Sequence, residues 1–112
     1  MNISEIRPPT EHSAAFGLYE LNRIEDCCGC YILANANGDI LYAGQAVSIK
    51  QRLIQHFESE KRFVMTRYGR ISRASWRAHP AMSLNALERG WLELIRLKDG
   101  SLPPLNRTSA PI

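Results

Sequence analysis

Short apolar runs separated by turn-forming residues dominate the first half of the chain. The segment GCYILA, residues 29–34, is rich in strand formers, and ILYAG, residues 40–44, repeats that character after the turn cluster NANGD. An Asn-Gly pair inside this cluster is a strong signal for a tight β-hairpin. The pattern therefore predicts two antiparallel strands, with Tyr31 on the first and Tyr42 on the second.

The segment AVSIKQRLIQHFES, which follows the hairpin, changes to a helical period. Its apolar side chains recur at helical spacing, and Ser48 is a suitable N-cap residue. Arg52 and His56 lie four residues apart on one flank of the apolar stripe, where two side chains of a helix are neighbours. We therefore expect a helix that presents Arg52 and His56 together.

A third strand is predicted within RISRASWRAH, because Ala74 and Trp76 alternate with Arg73 and Arg77. We interpret residues 1–27, which contain a mixed apolar and polar segment, as an N-terminal extension packed on the core. Residues 28–112 then form one α/β (α+β) domain, a small three-stranded and mainly antiparallel sheet flanked by helices.

A second helix is predicted from about Ser83 to Lys98, with its leucines, Trp91 and Ile95 on one apolar arc. Glu88 falls inside this arc. A carboxylate beside a core costs several kcal/mol or so unless it is paired, so Glu88 is expected to serve a cation, or else to reach water from the rim of the arc. The tail after this helix is turn-rich, and Asn106 follows two prolines that direct the chain back to the body.

Composition agrees with one globular domain that does not enter a membrane. The chain has 112 residues, of which 45% are hydrophobic and 22% charged. No apolar stretch approaches the length of a bilayer span, and the N-terminus has no apolar segment typical of a signal peptide. The expected compartment is the cytoplasm.

Positive charge is concentrated in one part of the chain, although the net charge is only +3 and the pI about 9.0. Between Glu58 and His79, basic residues alternate with three aromatic ones. Guanidinium groups among aromatics suit a phosphate backbone, but a solvated charged face fits this pattern equally well. The candidate DNA-binding arginines are Arg62, Arg67, Arg70, Arg73 and Arg77, and Lys61 belongs to the same segment.

The three cysteines lie within four residues, at Cys27, Cys28 and Cys30. A clustered odd set is unsuited to a disulfide framework and lacks the second pair of a closed zinc site. Reduced thiols at the start of a strand are the simpler interpretation. The alternative is a small zinc-binding regulator that combines this cluster with distant histidines.

Five elements in order resemble the GIY-YIG nuclease superfamily over residues 28–107. They are Gly29-Cys30-Tyr31, Tyr42-Ala43-Gly44, Arg52, Glu88 and Asn106. The chain departs from the family motif at the middle positions, and Gln45 stands where many members have a lysine.

The resemblance implies a divalent-metal-dependent DNA endonuclease. Glu88 would hold one Mg²⁺ or Mn²⁺, and Tyr31 or Tyr42 would activate or orient the attacking water. Arg52 would clamp the scissile phosphate, and His56 would bind a neighbouring phosphate, assist proton transfer or serve the structure. Among residues near the site, Gly29, Gly44 and Gln45 would shape it, and Asn106 would support its geometry.

The loss of a lysine at Gln45 leaves a second function open, a DNA-binding or partner-recruiting module with weak or no catalysis. The substrate is also open, because duplex sites, branched or nicked DNA and repair intermediates all fit. With one small domain, sequence specificity would be low, or would come from the basic segment, a homodimer or a partner protein.

Overall fold

The computed structural model describes residues 1–107; residues 108–112, the end of the predicted domain, lie outside this range. Its centre is a four-stranded antiparallel sheet with the spatial order β1-β4-β2-β3. The strands are β1 His12–Ala15, β2 Gly29–Ala34, β3 Ile40–Ala46 and β4 Arg73–Ala78.

Within residues 1–107, three α-helices cover the sheet, and short 3₁₀ turns connect several elements. The Ser48 side chain accepts a hydrogen bond from the backbone N–H of Gln51, as expected for an N-cap. The helices are α1 Leu18–Leu21, α2 Ile49–Glu58 and α3 Leu84–Asp99. The 3₁₀ turns are Ile3–Glu5, Glu60–Phe63, Ala81–Ser83 and Pro104–Arg107.

The predicted hairpin is confirmed as β2 and β3. Tyr31 lies opposite Gly44, and Leu33 lies opposite Tyr42. Side chains alternate between the two faces of a strand, so Tyr31, Tyr42 and Gly44 share one face of the sheet. The adjacent Gln45 therefore belongs to the other face.

The fold class and the third predicted strand, now β4, are confirmed, but the predicted number of strands is wrong. The fourth strand is β1, which pairs with β4 from His12 opposite Trp76 to Ala15 opposite Arg73. Its sequence, HSAA, is mostly exposed and has no alternating apolar pattern. Its conformation depends on backbone pairing with β4, a tertiary contact that periodicity does not reveal.

Each face of the sheet has its own apolar core. The face that carries Tyr31 packs against α1 and α2 through Leu21, Leu53 and their neighbours. The opposite face packs against α3, where Trp91 and Ile95 are fully buried. Within residues 1–107 no helix is both long enough and apolar enough to span a bilayer.

Candidate functional site

Two tyrosines and a histidine meet where α2 crosses the hairpin. The Tyr31 hydroxyl lies 2.6 Å from Nε2 of His56. The Tyr42 ring lies 4.9 Å from the His56 ring and 6.0 Å from the Tyr31 ring, measured between centroids. A Cβ atom at Gly44 would stand 2.7 Å from the Tyr31 hydroxyl and 2.9 Å from Cε1 of Tyr42. Glycine at this position therefore leaves the space that the two phenols occupy.

Burial separates the roles of the three side chains. Tyr31 is 1% exposed and His56 is fully buried, whereas Tyr42 is half-buried. Tyr31 is thus enclosed and does not lie on an exposed sheet face, because α2 covers it. Burial raises the pKa of both phenols, and it lowers the pKa of His56 to about 3. His56 is consequently a neutral imidazole at physiological pH.

The hydrogen bonds among these groups run in one direction when Tyr42 is ionised. In that state the Tyr31 hydroxyl donates to the Tyr42 oxygen, which lowers the pKa of Tyr42 against the effect of burial. Since a phenol has one proton to donate, neutral His56 then donates its Nε2–H to the Tyr31 oxygen. His56 Nδ1 is then a bare acceptor, and it has no hydrogen-bond partner in the described part of the chain. The network leaves the Tyr42 oxygen at its outer end.

Two cations flank the tyrosines. Arg52, half-buried on α2, lowers the pKa of both phenols through its charge. Lys61, in the 3₁₀ turn after α2, is 8% exposed, and its Nζ lies 4.1 Å from the centroid of the Tyr42 ring. Sequence reasoning counted Lys61 only as part of the basic segment, because nothing in the local pattern indicates its burial.

Glu88 approaches the tyrosines from the other side of the hairpin. Gln45 donates from Nε2 to the Glu88 carboxylate at 3.0 Å and to the side-chain oxygen of Asn85 at 2.5 Å. Glu88 is half-buried, and its burial raises its pKa, although the Gln45 donation opposes this. The negative charge of Glu88 raises the pKa of Tyr31 and Tyr42, so its electrostatic influence reaches both phenols from the opposite face of the hairpin.

The oxygens at Glu88 fit a hard divalent cation. A carboxylate oxygen of Glu88 and the amide oxygen of Asn85 both accept a hydrogen bond from Nε2 of Gln45. Such a small oxygen set suits Mg²⁺, which usually retains several waters. Within residues 1–107 there is no group of three His, Cys, Asp or Glu side chains arranged to hold a metal. Asn85 was missed from the sequence, although its spacing of three from Glu88 puts both on one helix face.

Asn106 completes the open edge of β3. Its side chain accepts from the Ala43 N–H and donates to the Ala43 carbonyl, each at 2.8 Å. An amide side chain has both a donor and an acceptor, so it pairs the two backbone groups as a neighbouring strand would. Asn106 thereby holds the strand that bears Tyr42.

Gly29, the first residue of β2, has a packing role against β4. A Cβ there would stand 2.0 Å from the carbonyl oxygen of Arg77 on β4. The close approach of the two backbones therefore requires glycine. Arg77 itself donates to the Pro9 carbonyl at 3.1 Å and lies 3.6 Å from Glu11.

The predicted DNA-binding arginines do not share one surface. Strand alternation puts Arg73 and Arg77 on the sheet face opposite Tyr31, and both contact the N-terminal segment. Arg62 lies between two rings, with its guanidinium 4.5 Å from the Phe57 centroid and 4.4 Å from that of Phe63. Arg67 lies over its neighbour Tyr68 at 4.9 Å, and Arg70 is exposed.

The cysteines are free thiols with separate surroundings. Cys30 is buried toward α3, where burial raises its pKa to about 12, and Cys27 and Cys28 are half-buried. A thiol with a raised pKa is a poor nucleophile and a poor metal ligand. Cys30 therefore packs as a small apolar residue.

The arrangement defines a domain with a tyrosine pair on a hairpin, an arginine on the next helix and a glutamate on the last one. A family model described as the GIY-YIG catalytic domain matches residues 27–98. The chain belongs to the GIY-YIG family, and the resemblance seen in the sequence is confirmed.

Similarity to individual proteins covers a shorter segment. UvrABC system protein C of Acetivibrio thermocellus is 45% identical over 40 residues, which are 36% of this chain and 6% of that protein. UvrABC system protein C of Ruminiclostridium cellulolyticum is 44% identical over 39 residues, 35% of this chain and 6% of that protein. The matched segments thus span a small part of these much longer relatives.

Proposed function

We propose that this chain is a divalent-metal-dependent DNA endonuclease with its site at Tyr31, Tyr42, Arg52 and Glu88. The observation that carries the proposal is the convergence at Tyr42. Its phenol receives a hydrogen bond from Tyr31 and feels the charges of Arg52 and Glu88. Groups from three elements distant in sequence thus influence one half-buried phenol, and a phenol that activates water at neutral pH needs a nearby cation such as Arg52.

Tyr42 is the phenol that we assign to the attacking water. It is half-buried and ends the hydrogen-bond chain, whereas Tyr31 is enclosed and already engaged by His56. Tyr31 and His56 are positioning residues that fix the orientation of the Tyr42 oxygen. With its pKa near 3, His56 is unsuited to accept a proton at neutral pH.

Arg52 is the group that we assign to the scissile phosphate. Its planar guanidinium offers paired donors to phosphate oxygens, and its charge also favours the ionised form of Tyr42. Asn106 supports the same site from the edge of β3, through both backbone groups of Ala43.

Glu88, with Asn85 beside it, would hold Mg²⁺ or Mn²⁺, and Gln45 would orient the carboxylate. When bound, the ion supplies a Lewis acid that polarises a phosphate oxygen and offsets the charge developed during hydrolysis. Because Gln45 is neutral, the positive charge that this proposal assigns to the site comes from Arg52.

Nicking of a supercoiled plasmid tests this proposal. The wild type is expected to nick DNA with Mg²⁺ or Mn²⁺ and to lose this activity with EDTA or in Glu88→Gln. Glu93→Gln is the matched control, since Glu93 lies exposed on the same helix and pairs with Arg96. Full activity in Glu88→Gln would contradict the assignment of the metal ligand.

The tyrosine assignment has its own pair of variants. Tyr42→Phe removes the outer hydroxyl and is expected to lower nicking more than Tyr31→Phe, which removes the hydroxyl behind it. Tyr19→Phe is the control, because Tyr19 is 69% exposed. Undiminished nicking in both site variants would eliminate a phenol from the step that activates water.

A second candidate is a DNA-binding or partner-recruiting module without turnover, favoured by the engagement of Glu88 with neutral Gln45. DNA binding in a gel-shift assay, combined with no metal-dependent nick in the wild type, would select it. The same assay with linear duplex, nicked and branched DNA compares substrate structures, and sedimentation measures whether a homodimer forms on DNA.

A further inference from the structure

Lys61 is a buried cation that lacks a hydrogen bond from its ammonium group. The residue is 8% exposed, and Nζ has no hydrogen-bond partner among the described residues. Burying an ammonium group in this way opposes folding unless another group compensates. Burial and the charge of Arg52 lower the pKa of Lys61, because both disfavour the charged form of its side chain. Packing alone would be satisfied by an uncharged side chain of similar length.

The location of this ammonium group indicates what it does. Nζ lies over the Tyr42 ring, 4.1 Å from its centroid. The other charged or titratable groups that act at this centre are Tyr31 from β2, Arg52 and His56 from α2, and Glu88 from α3. Glu88 and burial oppose ionisation of Tyr42. A positive charge close to a phenol favours the ionised form, and Lys61 Nζ is placed close enough to the ring to act in this way.

We propose that Lys61 is a positioning residue of the active site, which supplies positive charge to Tyr42 while that phenol handles the attacking water. This inference rests on the nuclease function proposed above and extends it to a residue outside the motif. The charge also repels a proton from His56, because Lys61 and Arg52 both lower the pKa of that imidazole. Lys61 therefore helps to keep His56 a neutral donor to Tyr31.

Lys61→Met tests the proposal, because methionine keeps much of the apolar stem and removes the charge. Lys50→Met is the matched control, because it makes the same substitution at a lysine on α2. Plasmid nicking with Mg²⁺ and urea unfolding are measured for the wild type and both variants. An opposite charge within about 4–6 Å shifts a pKa by about 1–3 units, so nicking by Lys61→Met at pH 7 is expected to fall about tenfold or more.

Two further readouts separate charge from packing. The difference in nicking rate between the wild type and Lys61→Met is expected to become smaller from pH 7 toward pH 10. The reason is that the pKa of wild-type Lys61 lies below the ordinary lysine value of 10.5, so that the ammonium group loses its charge in this range. A packing defect would give a gap independent of pH. The free energy of unfolding of Lys61→Met is expected to equal or exceed that of the wild type, since a buried charge without a hydrogen-bond partner among the described residues is removed.

The outcomes distinguish this proposal from the function on which it rests. A wild type that nicks DNA together with a Lys61→Met variant that nicks equally well overturns the role of Lys61 and leaves the nuclease standing. A pH-independent loss accompanied by reduced stability overturns it as well. A folded wild type that does not nick DNA overturns the nuclease function itself.

Discussion

His56 makes the stability of this protein depend on pH below neutrality. Burial lowers the pKa of His56 to about 3 from an ordinary 6.5. Between these two values the unfolded chain binds a proton at this side chain and the folded protein does not. The stability associated with neutral His56 is therefore complete above pH 6.5 and is lost progressively as the pH falls toward 3. With about 1.36 kcal/mol for each unit, the free energy of unfolding falls by about 2 kcal/mol from pH 7 to pH 5.

Urea unfolding at pH 5, 6 and 7 measures this effect in the wild type and in His56→Gln. Glutamine keeps an amide donor for the Tyr31 oxygen and has no titrating group. The contribution of His56 is the difference between the two proteins in the stability lost from pH 7 to pH 5. Shifts at carboxylates cancel in this difference, including that of Glu88, whose raised pKa acts in the opposite direction.

His12→Gln is the matched control, because His12 lies exposed on β1. Equal losses of stability in the wild type and His56→Gln would refute the reasoning. That result would mean that the folded protein accepts a proton at His56 as readily as the unfolded chain, and that burial does not hold this imidazole neutral.

Three further substitutions test packing, each by urea unfolding. Gly29→Ala is expected to destabilise by about 1–3 kcal/mol, because its Cβ would meet the Arg77 carbonyl oxygen at 2.0 Å; unchanged stability would show that the strands separate freely. Gly90→Ala is expected to stabilise α3 by about 0.5–1 kcal/mol, since its Cβ meets nothing within 4 Å, and a loss would contradict this. Asn106→Ala leaves both Ala43 backbone groups without their partner and is expected to cost about 1–3 kcal/mol; no loss would indicate that water replaces the amide.

The hairpin, the two long helices and the strand before the second one were predictable because each has its own signal. β2 was predicted at its observed bounds, and α2 begins directly after the predicted N-cap, Ser48. The predicted helix from about Ser83 to Lys98 corresponds to Leu84–Asp99. The order of the motif residues along the chain also predicted the family, because these residues follow one another on the strands and helices in the order that the family shows.

Contacts between distant segments could not be predicted in the same way. β1 has no apolar alternation and depends on pairing with β4. Lys61 appeared as one more surface cation, yet the turn after α2 buries it over Tyr42. Arg73 and Arg77 belong to the basic segment in the sequence, but strand pairing places them on the sheet face opposite Tyr31.

The sequence by itself determined the hairpin, β4, the two long helices, the chemical types at the site and the family, because periodicity, capping and motif order are properties of neighbouring residues. Only the tertiary structure decided which groups are buried together. The low pKa of His56, the hydrogen-bond chain that ends at Tyr42 and the pairing of Gln45 with Glu88 arise from segments that are distant along the chain. Their energies depend on desolvation and distance, which exist only once the sheet and helices have packed.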